Sequence, residues 1–195
     1  MSPLIPATDA TIAQAVHALR QGRLVVFPTD TVYGLACMEH LPNAVDHLFE
    51  AKQRPPEKQI ARLVANLDQV EAHGGQVDER ARILSRRFWP GPLTLVLPHR
   101  DGGTVGYRMP DHPVALQLLE AVGEPLLVTS ANRSGEPAAL TALEAQAVLS
   151  DVSLILDGGP CPLKVASSVL QLTTETLQLL REGGLSLQEI EDALG

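Results

Sequence analysis

Three observations predict an α/β fold in a single domain over residues 1–195. Helix-type and strand-type hydrophobic patterns alternate along the chain. No Pro/Gly/Ser linker, repeat or low-complexity block interrupts them. The chain is also long enough for one substantial core and short for two, with the 45% hydrophobic and 19% charged content of a globular protein.

The elements follow in order. Thr8 or Asp9 caps a helix with apolar positions Ile12, Val16 and Leu19, ended by Gly22. "RLVVF", Arg23 to Phe27, is a buried strand stopped by Pro28. A second helix runs from about Asn43 to Ala51 and delivers "KQRPPEK", Lys52 to Lys58. Arg62 to Asn66 is a strand candidate. A third helix covers Asp78 to Phe88 and meets "WPGP", whose prolines cannot continue it. "LTLVLP" (Leu93 to Pro98) and "TVGYRMP" (Thr104 to Pro110) are strands. The helix from His112 to Gly123 has Pro113 at its tolerated first position. A strand then enters "PLLVTSANRSG", Thr141 caps a helix to Leu149, and "LILDGG" is a strand and turn. "SSVLQLT" and "TLQLLR" suit a hairpin, and "LSLQEIEDAL" forms the last helix.

Several function classes lose ground on composition. A net charge of −8 repels polyanions at long range, and 3% aromatic content gives few stacking platforms for bases, so an RNA-binding module is the weaker reading. Cys37 and Cys161 are too far apart in sequence for a metal knuckle or redox motif. The six histidines lack metal-ligand spacing, no protein-held metal site is expected, and phosphate-loop, dinucleotide and nucleophile-elbow motifs are missing. The start lacks a basic then apolar leader pattern and no run approaches a membrane span, so a cytoplasmic location and no membrane partner are expected.

Chemistry-bearing residues gather just beyond predicted strand ends. "TDTVY", Thr29 to Tyr33, packs two hydroxyls, a carboxylate and a phenol into five residues before Gly34. "TSAN", Thr129 to Asn132, adds two hydroxyls and an amide, small groups that grip a polar ligand at close range or cap a turn. Lys52 and Arg54 precede a stiff Pro-Pro pair; such cations hold phosphate or carboxylate, or simply decorate a helix end. Arg108, flanked by apolar residues, needs a partner if buried. Ser167 and Arg181 would be unremarkable alone.

In series, "FPTDTVYGL", "KQRP", "WPGPLT", "YRMPDHP", "TSANRSG", "SSV" and "REG" resemble the YrdC-like threonylcarbamoyl-AMP synthase family, of the short, single-domain TsaC type, from about Ala7 to Leu187. The resemblance implies a twisted mixed sheet with flanking helices enclosing a large concave pocket. It implies a nucleotidyltransferase that converts L-threonine, bicarbonate and ATP into L-threonylcarbamoyl-adenylate and pyrophosphate, for t6A at position 37 of tRNAs reading ANN codons. Magnesium would arrive with ATP. The product would be handed to the tRNA threonylcarbamoyl transferase complex, with room for a weak tRNA contact. Carried over residue by residue, Thr31, Arg108, Ser130 and Ser167 would bind threonine. Lys52, Arg54, Asn132 and Arg181 would bind ATP, with Lys52 and Arg54 as the catalytic cations. Loss of either cation is expected to abolish activity at little cost in stability. A carbamoyl-adenylate-forming domain is the alternative of the same fold. After "KQRP" the chain departs from the family pattern, with Gln59 and Leu63 nearest the usual proline-leucine and histidine positions.

Overall fold

The computed structural model describes residues 2–53, 55, 59–173 and 177–195. Its elements are β1 (Leu4–Pro6), α1 (Asp9–Arg20), β2 (Val25–Phe27), β3 (Gly34–Met38), α2 (Pro42–Lys52), β4 (Ala61–Leu63), α3 (Leu67–Ala72), α4 (Glu79–Phe88), β5 (Leu93–Pro98), β6 (Thr104–Arg108), α5 (Pro113–Val122), β7 (Leu126–Ser130), α6 (Ala142–Val148), β8 (Leu154–Asp157), β9 (Ser168–Gln171), β10 (Gln178–Arg181) and α7 (Leu187–Asp192).

Local chemistry accounts for most boundaries. The Thr8 hydroxyl accepts from the Thr11 amide and the Thr11 hydroxyl returns the bond to the Thr8 amide, closing a box at the start of α1. Asp78 and Thr141 cap α4 and α6 by accepting from the Ala81 and Glu144 amides, and Ser186 with Glu189 boxes α7. His112 caps α5 through a ring nitrogen that accepts from the Val114 amide, and Gly123 ends that helix in the left-handed region.

All ten described strands join one mixed sheet in the order β1-β8-β2-β3-β7-β4-β6-β5-β9-β10. β2, β8 and β1 run parallel, β3 and β7 antiparallel to their neighbours, and β9 pairs parallel to β5 before turning back into β10. The expected hairpin of β9 and β10 is present, and so is the twisted mixed sheet with helices around it.

Three elements differ from the sequence prediction. β1 and β3 are strands that the pattern does not announce, and Asn66, expected at a strand end, instead caps the short α3. β3 reads "GLACM": buried on both faces, it has neither alternation nor β-branching, and its pairing with β2 and β7 decides its conformation.

The two faces of the sheet are covered unequally. On one, α1 and α5 pack Ile12, Leu19, Leu118 and Leu119 over Val25, Phe27, Ala36 and Leu126. Burying each such leucine is worth about 1.5–3 kcal/mol. On the other face, α2 and α6 cover Val26, Leu35 and Ile155, while Leu84 of α4 and Ile190 of α7 lie in the same core as Leu93, Leu95 and Leu97. Period-2 alternation then sends Thr94 and Val96 of β5, and Gly106 and Arg108 of β6, to the first face, beyond the ground α1 and α5 cover. A hollow remains there.

Candidate active site

The hollow is a cavity of about 340 Å³ running across the faces of β3, β7, β4, β6, β5, β9 and β10, under the Thr29–Tyr33 loop. Strand ends alone do not form it; the sheet face is its floor. Of the residues expected to bind ligand, Thr31, Arg108, Ser130, Ser167 and Arg181 all line it. Gln59 and Leu63, where the chain departs from the family pattern, line it too. Arg54 lies outside the described residues.

One end is a hydrogen-bonded chain of polar side chains. Arg108, 6% exposed, donates from Nε to the Gly91 carbonyl at 2.9 Å, from Nη1 to Thr31 Oγ1 at 2.8 Å and from Nη2 to Asp30 Oδ1. Burial pushes the Arg108 pKa down, the Asp30 carboxylate pushes it back up, and the neighbouring Arg181 cation pushes it down again. Arg181 donates from Nε to the Ser167 carbonyl at 2.9 Å and from Nη2 to Ser167 Oγ at 3.1 Å. Ser167 Oγ is in turn 2.8 Å from Thr94 Oγ1. Two guanidinium groups and three hydroxyls thus face one space.

The other end is the turn after β7. Lys52, at the end of α2, is only 1% exposed, and its ammonium donates to the Ser130 carbonyl at 2.5 Å, the Asn132 carbonyl at 2.8 Å and Asn132 Oδ1 at 3.0 Å. An ammonium only donates, so the atom it meets must be the amide oxygen of Asn132. The Asn132 Nδ2 group donates to the carbonyls of Arg133 and Glu136. Ser130 Oγ donates to Asn132 Oδ1 at 2.5 Å while remaining in the cavity wall. Lys52 and Asn132 therefore stand behind Ser130. The expectation that Lys52 can be lost at little cost in stability fails on its burial and its three acceptors.

Gly34 pairs with Ser130 in this wall, where a Cβ would come within 2.7 Å of Val128 Cγ1. The absent side chain keeps the cavity open at that point. Sequence reasoning missed Thr94, although it is the lone polar residue within "LTLVLP", and assigned no role to Asp30. Among the described residues no group of three His, Cys, Asp or Glu side chains could hold a metal ion. No described helix is long and apolar enough to cross a membrane.

An α/β protein whose sheet leaves part of one face uncovered, with cations and hydroxyls set into that part, has the donors to hold an anionic polar ligand. Residues 17–183 match the family model Sua5_yciO_yrdC, described as Telomere recombination, and the chain belongs to that family. It is 43% identical over 191 residues to the threonylcarbamoyl-AMP synthase of Pyrococcus abyssi, covering 93% of this chain and 56% of that one. With the threonylcarbamoyl-AMP synthase of Bacillus subtilis it shares 39% over 205 residues, 98% of this chain and 58% of the other. The chain therefore spans a little over half the length of these curated relatives. Among solved structures, P. abyssi Sua5 complexed with L-threonine superposes with a TM-score of 0.92 at 38% identity, covering 100% of this chain and 60% of that one. E. coli YciO gives 0.87 at 28% identity, covering 97% and 100%.

Proposed function

We propose that this chain is an L-threonylcarbamoyladenylate synthase, a nucleotidyltransferase that makes threonylcarbamoyl-AMP and pyrophosphate from L-threonine, bicarbonate and ATP. The observation that carries this reading is the convergence of Arg108 and Arg181 on one cavity whose wall also presents Thr31, Thr94, Ser130 and Ser167. The names of the relatives and the threonine complex of P. abyssi Sua5 supply the substrate class.

The threonine amine adds to carbon dioxide with loss of a proton, or condenses with bicarbonate with loss of water, to form a carbamate. A carbamate oxygen then attacks the α-phosphorus of ATP, and pyrophosphate leaves with the bridging oxygen. Negative charge is present at every stage, so positioning and fixed cations supply most of the acceleration. Arg108 takes the threonine carboxylate, with Thr31 and Ser167 beside it. Arg181 faces the nucleotide. Lys52 supplies charge from behind the turn of Ser130 and Asn132, and Arg54, the other cation of the K-x-R motif, meets the phosphates. Magnesium enters with ATP as part of that substrate. The adenylate then passes, in the cytoplasm, to the transferase that modifies tRNA.

Mass spectrometry of the product formed from ATP, labelled bicarbonate and L-threonine tests the reading. Labelled threonylcarbamoyl-AMP is the expected species. Pyrophosphate release that ignores threonine, or that requires carbamoyl phosphate, would overturn the assignment.

A further inference from the structure

Asp30 is buried in the Thr29–Tyr33 loop and does not line the cavity. Its Oδ1 accepts from Arg108 Nη2 and from the Asp111 amide at 3.1 Å, whereas its buried Oδ2 has no hydrogen-bond partner. A buried carboxylate with one oxygen unsatisfied is costly, and among the described residues its only ion pair is with Arg108.

We infer that Asp30 is a positioning residue that sets amino-acid specificity from behind the cavity wall, by fixing the direction of the Arg108 fork, which in turn occupies one lone pair of the Thr31 hydroxyl. Arg108 has five N–H groups. Three are held by Gly91, Thr31 and Asp30, which locks the guanidinium plane and leaves one N–H on each Nη for a ligand. The Thr29 hydroxyl, 2.6 Å from the Val32 carbonyl, spends its proton there. Its two lone pairs take the amides of Thr31 and Val32, each at 3.2 Å, so the Thr31 hydroxyl 3.0 Å away is not required to donate to it. Thr31 accepts from Arg108, so its proton and its second lone pair remain for the cavity. The wall thus presents a charged donor pair beside a hydroxyl that can donate or accept, the complement of a carboxylate next to a polar group. An α-amino acid has that arrangement, and the same molecule without its carboxylate does not. This inference rests on the threonine reading of the cavity.

The test uses Asp30→Asn, which keeps the size of the side chain and an acceptor for Arg108 and Asp111 but removes the charge. Calorimetric affinities for L-threonine, L-threoninol and ATP are measured on the wild-type chain, on D30N, and on both in an Arg108→Gln background. Wild type is expected to prefer L-threonine over L-threoninol strongly. In D30N, threonine affinity should fall about tenfold, most of that preference should go, and ATP affinity should hold within about twofold. In the R108Q background the D30N change should add less than about twofold, since nothing remains to be positioned. A folded D30N that keeps wild-type threonine affinity and selectivity overturns the inference alone, as does equal weakening toward all three ligands. Failure of the wild-type chain to bind L-threonine overturns the threonine reading itself and this inference with it. Should D30N not fold, Asp30→Glu with the same ligands gives the second reading: a selectivity for the carboxylate unchanged by the displaced acid refutes the positioning role.

Discussion

Arg108 and Arg181 carry the same group into the same cavity, yet the fold treats them differently. Arg108 is buried, with a carboxylate, a hydroxyl and a carbonyl already bonded to it. Arg181 is exposed at the end of β10, bonds only to Ser167, and has no ion pair among the described residues. The first arrangement resembles a buried ion pair, expensive to break and rigid in direction. The second leaves a cation with spare charge at the entrance of a chain whose net charge is −8. The proposed reaction, which admits a strongly anionic nucleotide and selects an amino acid, would draw on one of each.

Breaking the buried member should give the largest effect. Arg108→Met leaves Asp30 buried without its ion-pair partner, and should cost about 3–5 kcal/mol, a fall in melting temperature of roughly 6–20 °C for a chain of this size, read by thermal melts. Lys52→Met comes next. It takes the ammonium from the Asn132 carbonyl and one of two donors from the Ser130 carbonyl and the Asn132 amide oxygen, for about 1–3 kcal/mol, and should weaken ATP use as the Ser130 turn loosens. Arg181→Met should separate the two arginines cleanly. Stability is expected to stay within about 0.5 kcal/mol, while KM for ATP rises about tenfold or more and loses part of its salt dependence in steady-state assays.

The smallest effect is confined to alkaline pH. Burial, with a contribution from Glu39, pushes the Cys37 thiol up to about 12, and burial pushes Cys161 up to about 11, each from an ordinary value near 9. Below pH 9 both folded and unfolded chains keep these protons and no penalty arises. Above it the unfolded chain releases them first, so stability is lost as pH rises from 9 through 11 to 12. Cys37→Ala should flatten that decline in a pH series of melts, and neither native thiol should react with a disulfide reagent at pH 8.

What could be read from the residues follows the range of the forces involved. Thr8, Asp78, His112, Thr141 and Ser186 announce their helices because a cap acts within three residues. β1 and β3 escaped notice because they are strands by virtue of partners elsewhere, Leu4 beside Ile155 and Ala36 beside Val128. The cavity shows the same division. The family-like motifs named Thr31, Arg108, Ser130, Ser167 and Arg181, and all five share the wall. The burial of Lys52 could not be read locally, since its acceptors lie on Ser130 and Asn132, far along the chain. Asp30 hid for a related reason: its importance comes from Arg108, on a different strand.

The strand order has a temporal side. Leu93 of β5 waits for Ser168 of β9, and Leu4 of β1 for Ile155 of β8, so neither edge of the sheet can close until strands distant along the chain have been synthesised. Assembly dominated by such distant pairings is slow compared with that of helical bundles. Ser167 and Arg181 reach their places only after β9 and β10 dock, and a nascent chain on the ribosome lacks that part of the cavity wall until both strands have emerged.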